Sequence, residues 1–332
     1  MEVYFLDVGL GSCQIILLGG RRAIVIDCGV KSDHLALHFL KRFGIVEIEC
    51  LITSHSDNDH TGGAISILDD YQDQIKRLFV VQDHKWLATR YWQRIDHLIE
   101  TGILQPEQVD RLEMRDRPKK LWGDGSTRLK LFSPSFIENL RSQQVQNSNA
   151  TSSVIVLDHF GHRFVFAADS EIPQWKQIHE RRGNRKLTCD VLAVPHHGGL
   201  INDSSADLDW LYDKAVAADF AVLSVGTRTN PKHPREEVVA KLVTSGATVL
   251  CTEVTRKCHK RPISFAPGVL RPLTLFGRAF DSSRKGRDNA VACAGTVLAQ
   301  VDSSGLRIDR LDQHQAAVDA LAKAVNGCPL CR

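Results

Sequence analysis

The sequence predicts an α/β protein, with mixed sheets inside and helices outside. Three observations carry this. Short apolar runs that end in glycine or a polar residue recur along the chain. Segments with helical spacing alternate with them in both halves, and turn residues mark hairpins in each half. The chain has 332 residues, 43% of them hydrophobic and 24% charged. That length suits about two domains and buries a large core without staples. No apolar run approaches the ~18 residues that a membrane span needs.

The elements follow in order. VYFLDVGLG, CQIILLGG and AIVIDCG each read as a buried strand closing on glycine, and Gly19-Gly20 suit a hairpin turn between the second and third. Leu35, Leu37, Phe39, Leu40 and Phe43 have helical spacing. IECLITS is a strand running into HSDNDHTGG, and AISILDDYQDQIKRL reads as a helix after it. Residues 84–120 are polar and helix-rich, with Trp86, Tyr91, Trp92 and Leu98 at roughly helical intervals. The expectation there is a helical insertion or lid, spanning 70–130, whose aromatics pack on the core. RLKLFSP is a strand, and residues 138–149 read as a surface loop.

SSVIVLDHF and HRFVFAAD form a hairpin turning at Gly161. DVLAVPHHGG and DFAVLSVG are strands, EEVVAKLVTSG a helix and ATVLCTEV a final strand. No repeat of 20–50 residues is evident. Beyond Thr255 the text becomes rich in proline, glycine and arginine, then ends in a short helix, AAVDALAKAV. The expected organisation is a domain over residues 1–255 and a basic, cysteine-containing C-terminal extension over 256–332.

The 42 basic and 39 acidic residues leave a net charge of +3, but unevenly placed. From Thr255 to Ala290 nine Lys/Arg face two acids, a footprint for a polyanion or a solvated loop. Arg111 to Lys120 adds five basic residues against two acids. MEVYFLDVGLG shows no basic region before an apolar stretch, so no secretory signal is expected, and a cytoplasmic location is. Nine cysteines in such a chain argue against a disulfide scaffold. Cys13, Cys28, Cys50, Cys189 and Cys251 sit in strand-like contexts as small core residues.

His55-Ser-Asp57-Asn-Asp59-His60 is the sharpest feature. Four metal-binding side chains fall within six residues, directly after a strand. Imidazole with carboxylate suits Zn²⁺, Mn²⁺ or Fe²⁺, and the lack of thiolate disfavours copper(I) and iron–sulfur. Asp169 ends the apolar run FVFAAD, either as a helix N-cap or as a carboxylate between two metals. His196 and His197, followed by two glycines, supply a ligand, a proton donor or both. Cys328-Pro-Leu-Cys331 is a zinc half-knuckle that Cys258 and Cys293 would complete, with His259 as a substitute ligand. A tail with so little apolar periodicity needs such a staple; the alternative is a disordered tail with free thiols.

HSDNDHTGG, an Asp at a strand end and PHHGG resemble the metallo-β-lactamase-like superfamily, with H-x-D replacing its commoner H-x-H. DVGLGS, IDCG, HSDNDHTGG, Asn149–Ser153, FAAD, DVLAVPHHGG and SVGTRTNPKHP occur in the order found in the soluble hydrolase domain of ComEC-like DNA-uptake proteins. The resemblance covers roughly residues 1–255. It implies a four-layer αβ/βα sandwich with one or two divalent metals, zinc or manganese, at the edge of the sheets. It implies His55 and Asp57 at a first metal, Asp59, His60 and His196 at a second, and Asp169 bridging. Asp7 and Asp27 would orient the metal-bound imidazoles, the alternative, equally open for Asp7, being hydrogen bonds within their own turns. His197 and His233 would serve as proton donors, with Asp59 also taking part in catalysis, and Ser204 and Ser205 are weaker candidates for contacting phosphate.

Three departures stand out. The superfamily's third histidine has no counterpart, Asn149–Ser153 occupying its place. Ser12 replaces an acid in DVGLGS, and Ala168 replaces the glycine before the bridging Asp. No channel accompanying the hydrolase domain is expected from this sequence, so only hydrolase chemistry is carried over from the resemblance. The resemblance implies a nuclease or phosphodiesterase acting on nucleic acid. The alternatives are a small-nucleotide phosphodiesterase, a lactonase or β-lactamase, and a non-catalytic metal-stabilised binding module. The sequence leaves oligomeric state open.

Overall fold

The computed structural model describes residues 1–30, 34–201, 204–227, 233–262, 276–278 and 290–332. Strands β1 (Glu2–Phe5), β2 (Gln14–Leu17) and β3 (Arg22–Ile26) make an antiparallel meander. Helix α1 (Leu35–Arg42) then carries the chain to β4 (Glu47–Ile52), parallel to β3. Two short helices follow, α2 (Asn58–Thr61) and α3 (Ala64–Asp70). β5 (Leu78–Val80), α4 (Arg90–Glu100) and β6 (Val109–Arg111) extend this sheet in parallel.

The second sheet opens antiparallel, with β7 (Lys119–Asp124), β8 (Thr127–Ser133), α5 (Phe136–Val145), β9 (Val154–His159) and β10 (His162–Phe166). It continues in parallel through α6 (Ile172–Arg181), β11 (Leu187–Ala193), α7 (Ser205–Trp210), β12 (Val216–Leu223), α8 (Glu236–Thr244) and β13 (Thr248–Cys251). The chain then returns to the first sheet as β14 (Val297–Asp302) and β15 (Gly305–Ile308), and ends in helix α9 (Leu311–Lys323). The eight-stranded order is β15-β14-β1-β2-β3-β4-β5-β6 and the seven-stranded order β13-β12-β11-β10-β9-β8-β7.

Side chains alternate across each strand, so every strand feeds two cores. Val3 and Phe5 point between the sheets, where Phe5 meets Phe166 with ring centroids 5.9 Å apart. Tyr4 and Leu6 point outward, against Leu35, Phe39 and Leu40 of α1. On the far face, Trp175 and Ile178 of α6 and Val239 and Leu242 of α8 cover Val165, Leu192 and Ala221. Helix layer, sheet, sheet, helix layer: this is the four-layer αβ/βα sandwich expected from the sequence.

Three segments differ from expectation. Residues 70–130 hold three whole strands and the start of a fourth, β5 and β6 in one sheet and β7 and β8 in the other. Within them α4 buries Tyr91, Ile95 and Leu98 in the outer core, as a crossover helix rather than a lid. Residues 136–145 are helical, not a loop. Ser135 and Glu138 close a capping box, each side chain accepting the other's backbone N–H. The segment after residue 255 is no pendant extension. β14 pairs along β1 in the first sheet, while Ala317 and Leu321 of α9 pack into the core outside the second. The same C-terminal segment thus braces both halves.

Candidate metal centre

Four chain segments converge where parallel strands end. The β4 end delivers His55, Asp57, Asp59 and His60; the turn after β10 delivers Asp169; the turn after β11 delivers His196 and His197; the segment after β12 delivers His233. Buried strands must release their chain at these ends, so polar side chains collect there. The turns are tight. Asp27, Ala168, His196 and His197 all take left-handed backbone angles, with φ of 56°, 44°, 51° and 52°, a conformation that costs non-glycine residues energy and marks functional turns. Gly199 has a different reason to be glycine, since a Cβ there would lie 2.4 Å from Cε1 of His233.

Asp169 sits at the centre, nearly buried, with one oxygen toward each half of the site. Its Oδ1 is 3.3 Å from Nε2 of His60 and 3.5 Å from Nε2 of His197, which itself lies 3.6 Å from Oδ2 of Asp59. Its Oδ2 is 3.8 Å from Nε2 of His55 and 3.9 Å from Nε2 of His196; Nε2 of His55 is also 3.8 Å from Oδ2 of Asp57. Two sets of donor atoms lie within 4.8 Å of one another, His55–His60–Asp169 and Asp59–His60–His197. Nitrogen and oxygen ligands at about 2.0–2.2 Å from a tetrahedral ion sit about 3.4 Å apart. The observed spacings bracket that value in the His60 half and exceed it in the His55 half.

Hydrogen bonds fix which way each imidazole presents its lone pair. His60 donates from Nδ1 to Oδ2 of Asp27 at 2.7 Å, and Asp27 also accepts the Ser54 N–H and hydroxyl, both at 2.8 Å. The Ser54 hydroxyl, having given its proton to Asp27, accepts from Nδ1 of His55 at 3.0 Å. Ser152 also lies 3.3 Å from that nitrogen and accepts the Asp169 N–H at 2.8 Å. His197 donates from Nδ1 to the Ser224 carbonyl at 3.1 Å. All three Nδ1 atoms thus carry protons, which leaves Nε2 as the nitrogen each ring offers to a metal, and all three Nε2 atoms face Asp169. Those Nε2 atoms and Oδ1 of Asp169 are buried without hydrogen-bond partners among the described residues. Orphaned buried acceptors are costly, and a divalent cation among them removes the cost. The residues present fit the metals that the sequence implies.

The electrostatics agree. Burial lowers the pKa of His55, helped by the neighbouring His60, and keeps it neutral as a ligand must be. Burial opposes charge on His60 too, but the carboxylates of Asp27 and Asp169 overcome it and hold the metal-free imidazole well above its usual range. Burial also opposes ionisation of Asp169, yet the facing histidines hold it well below the usual carboxylate range. Asp59 likewise stays low through His197 and His60. His233 is pushed down to about 4 by burial and by His196 and His197.

Some expected residues occupy other places. His197 stands within the tight cluster beside Asp59, where the sequence suggested His196. His196 is at the rim, a quarter exposed, with its ring 5.1 Å from that of His233. Asp27 meets His60, but Oδ1 of Asp7 takes the Gly9 N–H at 3.3 Å in its own turn. Ser204 caps α7 through the Asp207 N–H, a structural duty, and the Ser205 side chain lies outside the described residues. Most of the basic 255–290 run also lies outside them. Three participants were not singled out from sequence. Lys85 pairs with Asp57, Asp83 accepts the N–H groups of Ser56 and Lys85 at 3.0 Å, and Ser54 links Asp27 to His55. Only the strand-end position of Ser54 could have signalled its role.

The cysteines divide differently from the proposed Cys₄ set. Cys293 and Cys331 gather with His314, while Cys258 is buried nearby and Cys328 is exposed. His259 is turned aside, with Nε2 donating to the Val325 carbonyl at 3.0 Å and Nδ1 accepting the Arg261 N–H at 3.1 Å.

The chain is similar to several known proteins. A family model described as "Metallo-beta-lactamase superfamily" matches residues 8–208. "Recombination protein 2" of Haemophilus influenzae is 29% identical over 260 residues, covering 73% of this chain and 26% of that protein. "ComE operon protein 3" of Bacillus subtilis is 22% identical over 277 residues, covering 76% and 32%. The chain thus spans about a quarter to a third of the length of these relatives. Among solved structures, Zn²⁺-bound PqqB from Methylobacterium extorquens is similar over 76% of this chain and 98% of its own, at 12% identity and a TM-score of 0.45. No helix among the described residues is long and apolar enough to cross a membrane.

Proposed function

The chain belongs to the metallo-beta-lactamase superfamily, and from that premise we propose that it is a metal-dependent phosphodiesterase that cleaves nucleic acid. One observation carries the hydrolase reading. Three Nε2 lone pairs and the carboxylates of Asp59 and Asp169 converge on one buried centre, with their partners already arranged behind them. Relatives named for recombination and for a ComE operon support nucleic acid as the substrate class. Arg111, Arg115 and Arg181 line an open cavity of about 830 Å³, together with Glu113 and Asp116, and could track a phosphate backbone.

His55, Asp57 and Asp169 would hold one divalent ion, zinc or manganese; Asp59, His60, His197 and Asp169 would hold the other. Bound there, such ions supply Lewis acidity toward phosphate oxygens and lower the pKa of a water to near neutrality. The protein's residues do the rest. Asp27 and the Ser224 carbonyl lock the imidazole tautomers, so no reorientation is needed during reaction. Asp59, held ionised, orients the attacking water by accepting its hydrogen bond, and the water's proton passes to solvent. His233 is neutral in the empty site. The negative charge of a bound diester raises its pKa, so that it can carry a proton to the departing oxygen. His196, beside His233 at the rim, binds a non-bridging oxygen.

The test is a turnover panel. Purified protein with Mn²⁺ or Zn²⁺ is offered single-stranded DNA, duplex DNA, RNA, bis-p-nitrophenyl phosphate and nitrocefin. The expected result is cleavage of nucleic acid that Asp59→Ala and His60→Ala both abolish. Turnover of the small diester alone would point to a nucleotide substrate. Turnover of nitrocefin alone would move the chemistry to carbon–nitrogen bonds. No turnover at normal metal content would leave a binding module.

A further inference from the structure

We infer that Cys293, His314 and Cys331, with Cys258 as fourth ligand, bind a structural zinc ion that ties the C-terminal tail to the second sheet. This site shares no residue with the centre around Asp169. Its donors come from four places in the chain: the segment after β13, the loop before β14, the first turn of α9 and the tail beyond it. The Sγ of Cys293, the Sγ of Cys331 and a ring nitrogen of His314 all lie within 4.8 Å of one another. Sγ of Cys293 and Nε2 of His314 are 3.6 Å apart. A tetrahedral zinc with bonds of about 2.3 Å to sulfur and 2.0–2.1 Å to nitrogen holds those two atoms about 3.6 Å apart. The spacing is thus that of two ligands across one ion.

The surroundings suit a closed, four-ligand site. Cys293, His314 and Cys258 are 4%, 5% and 3% exposed, among Val254, Val291, Ala317 and Leu321. Such a lining leaves little access for water, as at structural rather than catalytic zinc. The backbone is braced on all sides. The N–H groups of Cys293 and Gly295 donate to the Thr252 carbonyl at 3.0 and 2.9 Å, and that of Ala294 to the Cys251 carbonyl at 2.8 Å. The Cys328 N–H donates to the Cys258 carbonyl at 2.7 Å, and the Leu330 N–H donates to the Cys258 thiol. These bonds bring Cys258 and Cys331 toward each other. Three thiols with one imidazole select zinc over hard cations such as magnesium or calcium.

The tail also needs such a tie. Val325 is 84% exposed and Cys328 is exposed, and Leu330 and Cys331, the hydrophobic residues of the segment after α9 that pack on the core, are only partly buried. Yet it carries Cys331 back to a buried loop. Packing alone is a weak reason for that return, whereas a metal–thiolate bond is a strong one.

Sulfur ligation makes the test independent of any hydrolase activity, because no cysteine belongs to the other centre. The full chain is purified under reducing conditions and loaded with Zn²⁺ or Co²⁺. X-ray absorption at the zinc edge should show sulfur at about 2.3 Å, and the cobalt form should show thiolate-to-metal charge transfer. Both signals should survive Asp59→Ala/His60→Ala and Cys328→Ser. Cys293→Ser, His314→Ala and Cys331→Ser should each lower metal content by one equivalent and remove or alter the sulfur signal. Wild-type protein without a sulfur shell overturns the proposal. So does a signal unchanged by Cys293→Ser and Cys331→Ser, or a Cys293–Cys331 disulfide found by mass spectrometry in the reduced preparation. Because the first measurement uses wild-type protein, misfolding of a variant cannot shelter the idea.

Discussion

Replacing Asp27 by asparagine separates shape from charge at the heart of the site. Asp27 is fully buried and accepts three hydrogen bonds: the Ser54 N–H on Oδ1, and the Ser54 hydroxyl and His60 Nδ1–H on Oδ2. Asparagine has the same outline but one oxygen. If its amide nitrogen faces the Ser54 N–H, two donors meet and a buried N–H is orphaned, at about 1–3 kcal/mol. If the nitrogen faces His60, the imidazole must accept at Nδ1 and carry its proton on Nε2. That removes the lone pair aimed at the metal. Loss of such an orienting partner costs about 10–100-fold in metal affinity, or about 1.4–2.7 kcal/mol. Asp27→Asn should therefore weaken zinc binding by that factor in a chelator-competition titration, while circular dichroism shows a retained fold.

A pH signature accompanies it. Metal-free His60 has a folded pKa raised above its unfolded value of about 6.5. Its contribution to stability is complete below that value and fades as pH rises through the folded pKa. The metal-free wild type should lose stability as pH climbs above about 6.5, and Asp27→Asn should lose less. Equal zinc affinity in both proteins, with identical pH–stability curves, would refute the tautomer argument.

Other outcomes follow from the same geometry. Ala168→Gly relieves a left-handed backbone at φ 44° and should stabilise the protein by about 0.5–1 kcal/mol after the unfolded-state cost of glycine, seen as a small rise in melting temperature. Gly199→Ala should displace His233 and cut turnover by about 100-fold or more while metal content stays unchanged, the scale of a lost proton donor. Lys85→Gln frees Asp57 from its ion pair and should tighten, modestly because both groups are partly exposed, the weaker of two metal-binding steps in a titration. Cleavage of long nucleic acid should fall steeply with added salt, whereas hydrolysis of a small diester should not, as read from initial rates at several ionic strengths.

The two histidines and two acids between His55 and His60 were legible because their spacing is set by one strand end. His55 to His60 lie within six residues, and no tertiary knowledge is needed to see that they converge. The choice between His196 and His197 was not legible. Both follow the same strand, and only the left-handed turn decides which ring swings inward. β5 and β6 escaped notice because each is three residues long and owes its place to the neighbouring strand. β14 follows a stretch of proline, glycine and charge that hides the return to the first sheet. His314 looked like an ordinary polar residue on an amphipathic helix, since its partners are 21 and 17 residues away. The capping box at Ser135 and Glu138 was readable, but the polar run after it suggested a loop.

The pairing of β14 with β1 joins Val3 to Ala299, positions separated by about 300 residues. A ribosome adding about 5–20 residues per second takes about 15–60 s to supply that missing neighbour. Throughout the interval the earliest strand presents an unpaired flank of amide and carbonyl groups, open to any other nascent chain. Yield in the cell should therefore depend on chaperones that shield this flank, more than the stability of the finished fold would suggest.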